Sequence, residues 1–294
     1  MEKEIPKIAY NKDKKLDIEV MTFAQLFSSL NQSKDHNPYA VHRIKFYLVL
    51  IVTKNSYAHF VDFKSYQLTK GSALFIAKNQ VHYFTKELQE ADGFCIIFNS
   101  QFMDKYYFLS DNHKLSRLFN YHIETPVIHQ KEMGQDDFLG IASKLYDEYI
   151  FPNNFAKSEM LRTLLHVLLL KAERIKETQS ESISSAKTHW LEIFSNFKHK
   201  LEKEYVKTRN SRTYAANLFI SYKFLNDIVK KLTGKTVKAF IDDFVTIEIK
   251  RYLVSTSLSI KEVSYQTGFD EPANMIKFFK KNTNTTPLKF RQQK

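Results

Sequence analysis

The stretch that decides the fold lies near the end of the chain, where residues 258–291 read LSIKEVSYQTGFDEPANMIKFFKKNTNTTPLKFR. Ser259 and Glu262 have the spacing of a capping box, which marks the start of a helix. Gly268 supplies the backbone freedom that a tight turn after a helix requires. Pro272 suits the first turn of a following helix. The stretch therefore predicts two helices joined by a sharp turn.

The pattern occurs twice. FLNDIVKKLTGKTVKAF (224–240) aligns with NMIKFFKKNTNTTPLKF (274–290) at an offset of 50 residues. A repeat of this length indicates one supersecondary unit used twice, here a helix-turn-helix. In the first unit Ser221 is the predicted N-cap. The predicted inner faces comprise Phe224, Leu225, Ile228 and Val229 in the first unit and Met275, Phe278 and Phe279 in the second.

Positive charge is concentrated in the same part of the chain. The net charge is +12, and residues 188–294 hold 20 Lys and Arg against 10 Asp and Glu. That leaves a net charge of +2 for residues 1–187. A polyanion such as DNA is the natural partner of the basic part. The alternative is a helical bundle whose lysines are only solvated.

A helix of this kind can enter the DNA major groove, where lysines hold phosphates and Asn or Lys side chains read base edges. Residues 236–255 are predicted to form one connecting helix, roughly 30 Å long. That length is close to the roughly 34 Å repeat of successive major grooves. The residues predicted to contact DNA are Ser221, Tyr222, Lys223, Asn226, Asp227, Lys230, Ala273, Asn274, Lys277, Lys280 and Lys281.

The first half of the chain has the alternating pattern of strands. HRIKFYLVLIVT (42–53), YAHFVDF (57–63), SALFIA (72–77) and GFCIIF (93–98) predict a sandwich or small barrel. From residue 136 the period is helical, over 136–150 and again over 155–175. The second helix has a heptad-like apolar seam, which either packs on the protein's own sheet or forms a dimer interface. Its members are Leu161, Leu165, Leu168, Ala172 and Ile175.

Composition sets the domain boundaries. Residues 176–187 read KETQSESISSAK, a polar stretch typical of a linker. We therefore expect an N-terminal domain over 1–177, with a barrel at about 37–132 and a helical pair at about 135–177. A linker at 178–187 and a C-terminal domain at 188–294 follow.

The compartment is expected to be the cytoplasm. Cys95 is the single cysteine, so an internal disulfide is excluded and a reducing environment is expected. The N-terminus MEKEIPKIAYNKDKK has no apolar core of a signal peptide. The apolar run Leu164–Leu170 is too short to span a membrane.

The C-terminal residues resemble the AraC family of bacterial transcription regulators. The resemblance rests on residues 220–236 and 258–291, including the pairs Gly268-Phe269 and Thr286-Pro287. It implies an α+β multidomain protein with an N-terminal cupin-like β-barrel, a helical dimerisation pair and a C-terminal all-α domain with two helix-turn-helix units. It also implies promoter DNA and RNA polymerase as partners, a small-molecule effector, a homodimer and a location at the nucleoid.

Some positions depart from the family pattern. Asn274 and Ile276 stand where the family usually has Tyr and Ser, Asp227 stands where Arg is common, and Thr283-Asn284 lacks the usual Gly. We therefore expect the second unit to anchor phosphates. Sequence-specific contacts are expected from Tyr222, Lys223 and Asn226 in the first unit.

Enzymatic chemistry has little support. The sequence contains no Gly-rich phosphate loop, nucleophile elbow or Cys-pair metal motif. The histidines do not have the spacing of a metal-binding cupin, so we expect no metal, no cofactor and no catalytic residue. The histidines are either satisfied core residues or polar groups of a ligand pocket. The pocket candidates are His42, Arg43, Tyr47, Tyr57, His59 and His82.

Two rival functions stay open. One is a metal-dependent cupin enzyme with an accessory nucleic-acid-binding domain. The other is a constitutive DNA-binding protein whose barrel only dimerises.

Overall fold

The computed structural model describes residues 7–8, 17–32, 39–99, 102, 117–130, 137–152, 155–179 and 185–292. The chain divides into two compact units, one formed by residues 6–182 and the other by residues 183–294. The N-terminal unit is built on β-sheets and the C-terminal unit is helical. This confirms the expected α+β organisation at the level of the two units.

The described strands of the N-terminal unit form two five-stranded sheets, in the orders β1-β3-β8-β5-β6 and β10-β7-β4-β9-β2. The strands are β1 (Lys7–Ile8), β2 (Ile18–Thr22), β3 (His42–Ile44), β4 (Tyr47–Lys54), β5 (Ser56–Val61), β6 (Lys64–Thr69), β7 (Ser72–Ile76), β8 (Val81–Tyr83), β9 (Asp92–Phe98) and β10 (Val127–His129). Within the described residues, strands pair inside each sheet and none pairs across to the other sheet. The closed barrel expected from the sequence is therefore not what these strands form.

Strand β4 of the second sheet shows why its sequence is a nearly continuous apolar run. Leu48 and Leu50 belong to the apolar cluster that includes residues of the first sheet. Val49 and Ile51 point the other way and belong to the cluster with the helices. Successive side chains of a strand point to opposite faces, so a strand covered on both faces is apolar throughout.

Among the described residues, the N-terminal unit also contains three α-helices, α1 (Phe23–Gln32), α2 (Phe138–Ile150) and α3 (Lys157–Gln179), and a short 3-10 helix, Lys86–Glu90. The Asp137 side chain caps α2, because its Oδ1 accepts from the Gly140 amide at 2.9 Å. The heptad-like seam of α3 is buried together with Val49, Ile51 and Phe75 of the sheet. The seam packs on the protein's own sheet, so its interpretation as a dimer interface is wrong.

The C-terminal unit contains seven described helices. They are α4 (Ser185–Glu204), α5 (Ser211–Asn217), α6 (Tyr222–Thr233), α7 (Val237–Ser255), α8 (Ile260–Gln266), α9 (Pro272–Thr283) and α10 (Pro287–Gln292). Aromatic rings link α4 to α7, with the Phe194 and Phe240 centroids 5.2 Å apart. Of the predicted linker, residues 178–179 continue α3 and 185–187 begin α4, and residues 180–184 lie outside the described residues.

The described part of the chain contains no candidate for a membrane-spanning helix. None of its helices combines the length and the apolar character needed to cross a bilayer.

Candidate nucleic-acid interface

Two helices of the C-terminal unit are structural copies of each other. Helices α6 and α9 each have 12 residues, and α9 begins 50 residues after α6. Each ends at a left-handed residue, Gly234 with φ 73° and Asn284 with φ 59°. Asn tolerates this conformation better than most residues, which explains how Asn284 replaces the glycine. We call α6 and α9 the recognition helices.

Each recognition helix follows a shorter helix of seven residues, α5 or α8. The predicted capping box of α8 is present: Ser259 Oγ accepts from the Glu262 amide at 3.2 Å, and Glu262 Oε2 accepts from the Ser259 amide at 2.6 Å. Asn210 caps α5 by accepting from the Arg212 amide at 3.0 Å. Short helix, tight turn and recognition helix make a helix-turn-helix in both halves.

The turn of the second unit requires glycine for two reasons. Gly268 has φ 77°, which an L side chain rarely adopts. A Cβ at Gly268 would lie 2.3 Å from the backbone oxygen of Val206. The segment around Val206 therefore sits directly against this turn and fixes where the second recognition helix starts.

Arg209 reinforces that contact, and sequence reasoning missed it. Its guanidinium carbon lies 3.7 Å from the centroid of the Phe269 ring, and Nη2 donates to the Thr267 carbonyl at 2.5 Å. Burial lowers the pKa of Arg209, with Asp242 opposing the shift. The contact joins residues 58 positions apart. No local pattern signals such a contact.

The first recognition helix presents Tyr222, Lys223, Asp227 and Lys230 to solvent, as predicted. Ser221 is the N-cap, and its Oγ accepts from the Phe224 amide at 3.1 Å. Phe224 was expected on the inner face, but it is 37% exposed. The inner face is made by Leu225, Ile228 and Val229. The buried face therefore begins at Leu225, one residue later than predicted.

Asn226 was predicted to point outward, but the structure shows otherwise. It is half-buried, and its Oδ1 accepts from the Val237 amide at 3.1 Å, at the start of α7. That amide belongs to the first turn of a helix, where amides lack intrahelical partners. Asn226 therefore joins the first recognition helix to the connecting helix. The contact favours a positioning role over base reading.

The second unit explains why this contact occurs only once. Fifty residues on, the place of Asn226 is taken by Ile276 and that of Val237 by Pro287. Proline has no amide hydrogen to donate, so the second unit needs no acceptor at that position.

The second recognition helix exposes Ala273, Asn274, Lys277, Lys280 and Lys281, as predicted. Met275 and Phe279 are buried beneath it. Asp270 and Glu271 stand exposed just before the helix, and Glu271 makes no side-chain cap bond. These acids would repel a phosphate at the helix start. Phosphate contacts by this helix are therefore expected from its lysines.

Helix α7 connects the two helix-turn-helix units. It runs from Val237 to Ser255, 19 residues, and contacts both recognition helices. At about 1.5 Å per residue it is about 28 Å long, as predicted. It contains a buried ion pair in which Arg251 Nη1 lies 2.6 Å from Glu248 Oε1, both side chains being at most 3% exposed. The predicted connecting helix is thus present, and it packs against both helix-turn-helix units.

In the N-terminal unit the structure brings together four of the six pocket candidates. Tyr57, His59, His82 and His42 are all buried on neighbouring strands of the first sheet. His59 Nε2 and His82 Nδ1 are 3.2 Å apart, and His42 pairs with His82 across the strands. Arg43, next in sequence to His42, is also buried. Tyr47 lies elsewhere, stacked on Phe98 on the face that packs against the helices.

Burial favours the neutral form of His59 and His82. It lowers the pKa of His82 to about 3, with a smaller contribution from His42. Burial and the neighbouring His82 also lower the pKa of His59. Within the described residues, the Tyr57 hydroxyl and His59 Nδ1 have no hydrogen-bond partner. No group of three or more His, Cys, Asp or Glu side chains is placed to hold a metal ion in the part of the chain described here.

Comparisons with known proteins agree with this geometry. Residues 214–293 match the helix-turn-helix domain family. The chain is 20% identical to the HTH-type transcriptional activator RhaS of Escherichia coli over 257 residues, 85% of this chain and 87% of RhaS. It is 25% identical over 125 residues, 42% of this chain, to an uncharacterized HTH-type transcriptional regulator, YtdP of Bacillus subtilis, and spans 16% of the length of that relative.

Among solved structures, ToxT of Vibrio cholerae has a TM-score of 0.47 and 14% sequence identity. The match covers 93% of this chain and 97% of ToxT.

Proposed function

We propose that this chain, a transcriptional regulator of the AraC type, works as a one-component switch in the cytoplasm. Its helical unit binds promoter DNA, and its sheet unit senses a small molecule. The observation that carries the DNA-binding part is the duplicated helix-turn-helix. Two recognition helices of equal length, 50 residues apart, follow the same type of turn, end at a left-handed residue and contact one connecting helix.

The connecting helix sets the scale of the DNA site. Its length of about 28 Å suits two recognition helices in successive major grooves, whose repeat is about 34 Å. We therefore propose one continuous site of about two helical turns, bound by both units of a single chain.

The two helix-turn-helix units have different roles in this proposal. In the first, Tyr222 and Lys223 lie at the N-terminal end, the part of a recognition helix that contacts base edges. Asp227 can accept from a cytosine amine, while Lys230 in the last turn binds phosphate. In the second, Asn274 and Lys277 lie nearest the groove. Lys280 and Lys281 in its last turn bind phosphate.

The test is to select duplexes from a random pool with the full chain and measure affinity against salt. Lys281→Ala should lower the slope of log affinity against log salt by about 1, because one phosphate contact is lost. Lys64→Ala is the control, since Lys64 is an exposed lysine of the N-terminal unit. The proposal is wrong if no duplex is enriched, or if both variants change the slope equally.

The sheet unit is proposed to hold the effector. The two sheets share an apolar cluster that includes Tyr57, and His59 and His82 are buried on the first sheet. Neutral imidazoles and a phenol can donate to or accept from hydroxyl and carbonyl groups, so they suit an uncharged polar ligand. Thermal shift against metabolites would identify it, and a hit should lose its effect in Tyr57→Phe.

Along the chain, helix α3 leads from the sheets to the segment that precedes the C-terminal unit. Lys176 Nζ donates to the Thr125 carbonyl at 3.0 Å, and Gln179 Nε2 donates to the His129 carbonyl at 2.5 Å. These bonds tie the last turns of α3 to strand β10 and the segment before it. We propose that effector binding changes this attachment and so shifts the DNA-binding population. Unchanged operator affinity with and without the effector would exclude this step.

We further propose a homodimer, RNA polymerase as a partner, and domain limits of 1–177, 178–187 and 188–294. The homodimer would use exposed apolar residues of the helical pair rather than its buried seam. Exposed apolar residues concentrate in these two helices and the loop that joins them: Ile150, Phe151, Phe155, Met160 and Leu170. Such concentrations mark interaction surfaces. Light scattering should show a dimer that Leu170→Lys converts to a monomer, and a monomeric parent chain would contradict it.

A further inference from the structure

The turn of the first helix-turn-helix contains an exposed phenylalanine in a left-handed conformation. Phe219 has φ 57° and its side chain is 96% exposed. Its amide donates to the Ala216 carbonyl at 2.9 Å, and the Ile220 amide donates to the Ala215 carbonyl at 3.1 Å. These two bonds are a Schellman motif, which closes a helix with one left-handed residue. Glycine is the usual residue at that position.

The second helix-turn-helix of the same chain contains the equivalent turn and can be compared with the first. The second unit has the same two bonds, from the Gly268 amide to Tyr265 at 3.1 Å and from the Phe269 amide to Ser264 at 3.0 Å. Its left-handed residue is Gly268. The same turn is thus made with glycine once and with phenylalanine once.

Folding does not explain the phenylalanine. A left-handed backbone is strained for any residue with a Cβ. Burial of the ring would offset that strain, but the ring is almost wholly in water. Strained residues that gain nothing from packing concentrate at functional sites. The exposed ring is therefore available for a contact outside the chain.

The position of Phe219 in the chain indicates which external partner its ring contacts. Phe219 stands two residues before Ser221, the N-cap of the first recognition helix. The exposed Tyr222 and Lys223 follow in the first turn. Within the described residues Lys223 has no ion-pair partner, so its charge is available for a polyanion. In a docked helix-turn-helix this end of the recognition helix lies in the major groove, which places the turn at the groove edge.

We infer that Phe219 is a specificity-determining DNA contact of the first unit, with its ring against the 5-methyl group of a thymine. This inference rests on the proposed function. A thymine methyl is the apolar group that the major groove displays, and phenylalanine is among the side chains that contact it. Phe219 would thus read the apolar edge of a base while Tyr222 and Lys223 read polar groups.

The inference predicts opposite effects on folding and on binding. Phe219→Gly removes the strain and the ring together, so the urea midpoint of the C-terminal unit should rise. Affinity for the selected duplex should fall by about 5- to 10-fold, the size of one base-edge contact. Affinity for random duplex should change less than about 2-fold, because nonspecific binding depends on phosphate contacts.

Phe63→Gly is the matched control. Phe63 is also an exposed phenylalanine at positive φ, 69°, but it lies in the N-terminal unit. It should leave both affinities unchanged. Phe219→Asn is the second variant, since Asn tolerates the left-handed region, and it should lose affinity as Phe219→Gly does.

The decisive arm replaces each thymine of the selected duplex by deoxyuridine, which removes the methyl group alone. The parent chain should lose affinity at one or two thymines in the half bound by the first unit, and Phe219→Gly should lose none there. Equal sensitivity of both proteins, equal losses on selected and random duplex, or a half-site without thymine overturns the inference. Failure of the parent chain to enrich any duplex refutes the proposed function instead.

Discussion

Replacing Gly268 by alanine should destabilise the C-terminal unit far more than replacing Gly234 by alanine. The two glycines have nearly the same backbone, with φ 77° and 73°. They differ in what surrounds them. A Cβ at Gly268 would lie 2.3 Å from the Val206 oxygen and 2.7 Å from its Cα, whereas nothing lies within 4 Å of one at Gly234.

The two magnitudes follow from these surroundings. A left-handed conformation costs an L residue about 1–2 kcal/mol. The smaller unfolded-state entropy of alanine offsets about 0.4–1 kcal/mol of that. Gly234→Ala should therefore cost about 1 kcal/mol. Gly268→Ala adds a backbone clash, for which overpacking suggests about 1–3 kcal/mol more, and about 2–4 kcal/mol in total.

The assay uses a feature of the sequence. Trp190 is the single tryptophan, and it lies in α4 of the C-terminal unit. Its fluorescence in a urea titration of the full chain therefore reports on that unit, and the midpoint shift at constant slope gives the change in unfolding free energy. Equal losses for the two variants would refute the argument that the contact with Val206 fixes the turn.

Three further predictions test other parts of the account. Lys230→Ala should weaken binding to selected and random duplex by similar factors and flatten the salt dependence, and a loss confined to the selected duplex would contradict its role as a phosphate contact. Asn226→Ala should cost about 1 kcal/mol by urea titration, because the Val237 amide loses its acceptor, and should leave the preferred sequence unchanged in a repeated selection. A new consensus would restore Asn226 as a base reader. Lastly, His59 and His82 have lowered pKa values in the folded state. The unfolded chain takes up protons first as the pH falls below about 6.5, so stability falls with pH, by about 2 kcal/mol for His82 between pH 6.5 and pH 5. Circular dichroism at several pH values measures it, and a flat profile would contradict it.

The parts that sequence reasoning predicted well depend on local chemistry. The capping box at Ser259, the glycine turn and Pro272 each act within a few residues of themselves, so the pattern alone shows them. The repeat then doubled the evidence, because it placed the same signals at two points of the chain.

The parts it missed depend on contacts distant in sequence. Asn226 has the position of an outward residue, but its partner, Val237, belongs to the next helix. One signal was present in the repeat: Pro287 replaces the amide donor and Ile276 the acceptor.

A similar ambiguity affected the N-terminal unit. The strand that contains Tyr47 is apolar on both faces, so alternation could not tell which face meets the histidines. The heptad-like spacing of α3 likewise describes a seam but not its partner, and the partner is the protein's own sheet.

The most direct test of the central claim is a hydroxyl-radical footprint of the full chain on a duplex selected from a random pool. If two recognition helices on one connecting helix bind together, the footprint should show two protected patches. They should lie about one helical turn apart on the same face of the DNA. A single protected patch, or two patches on opposite faces, would contradict the account.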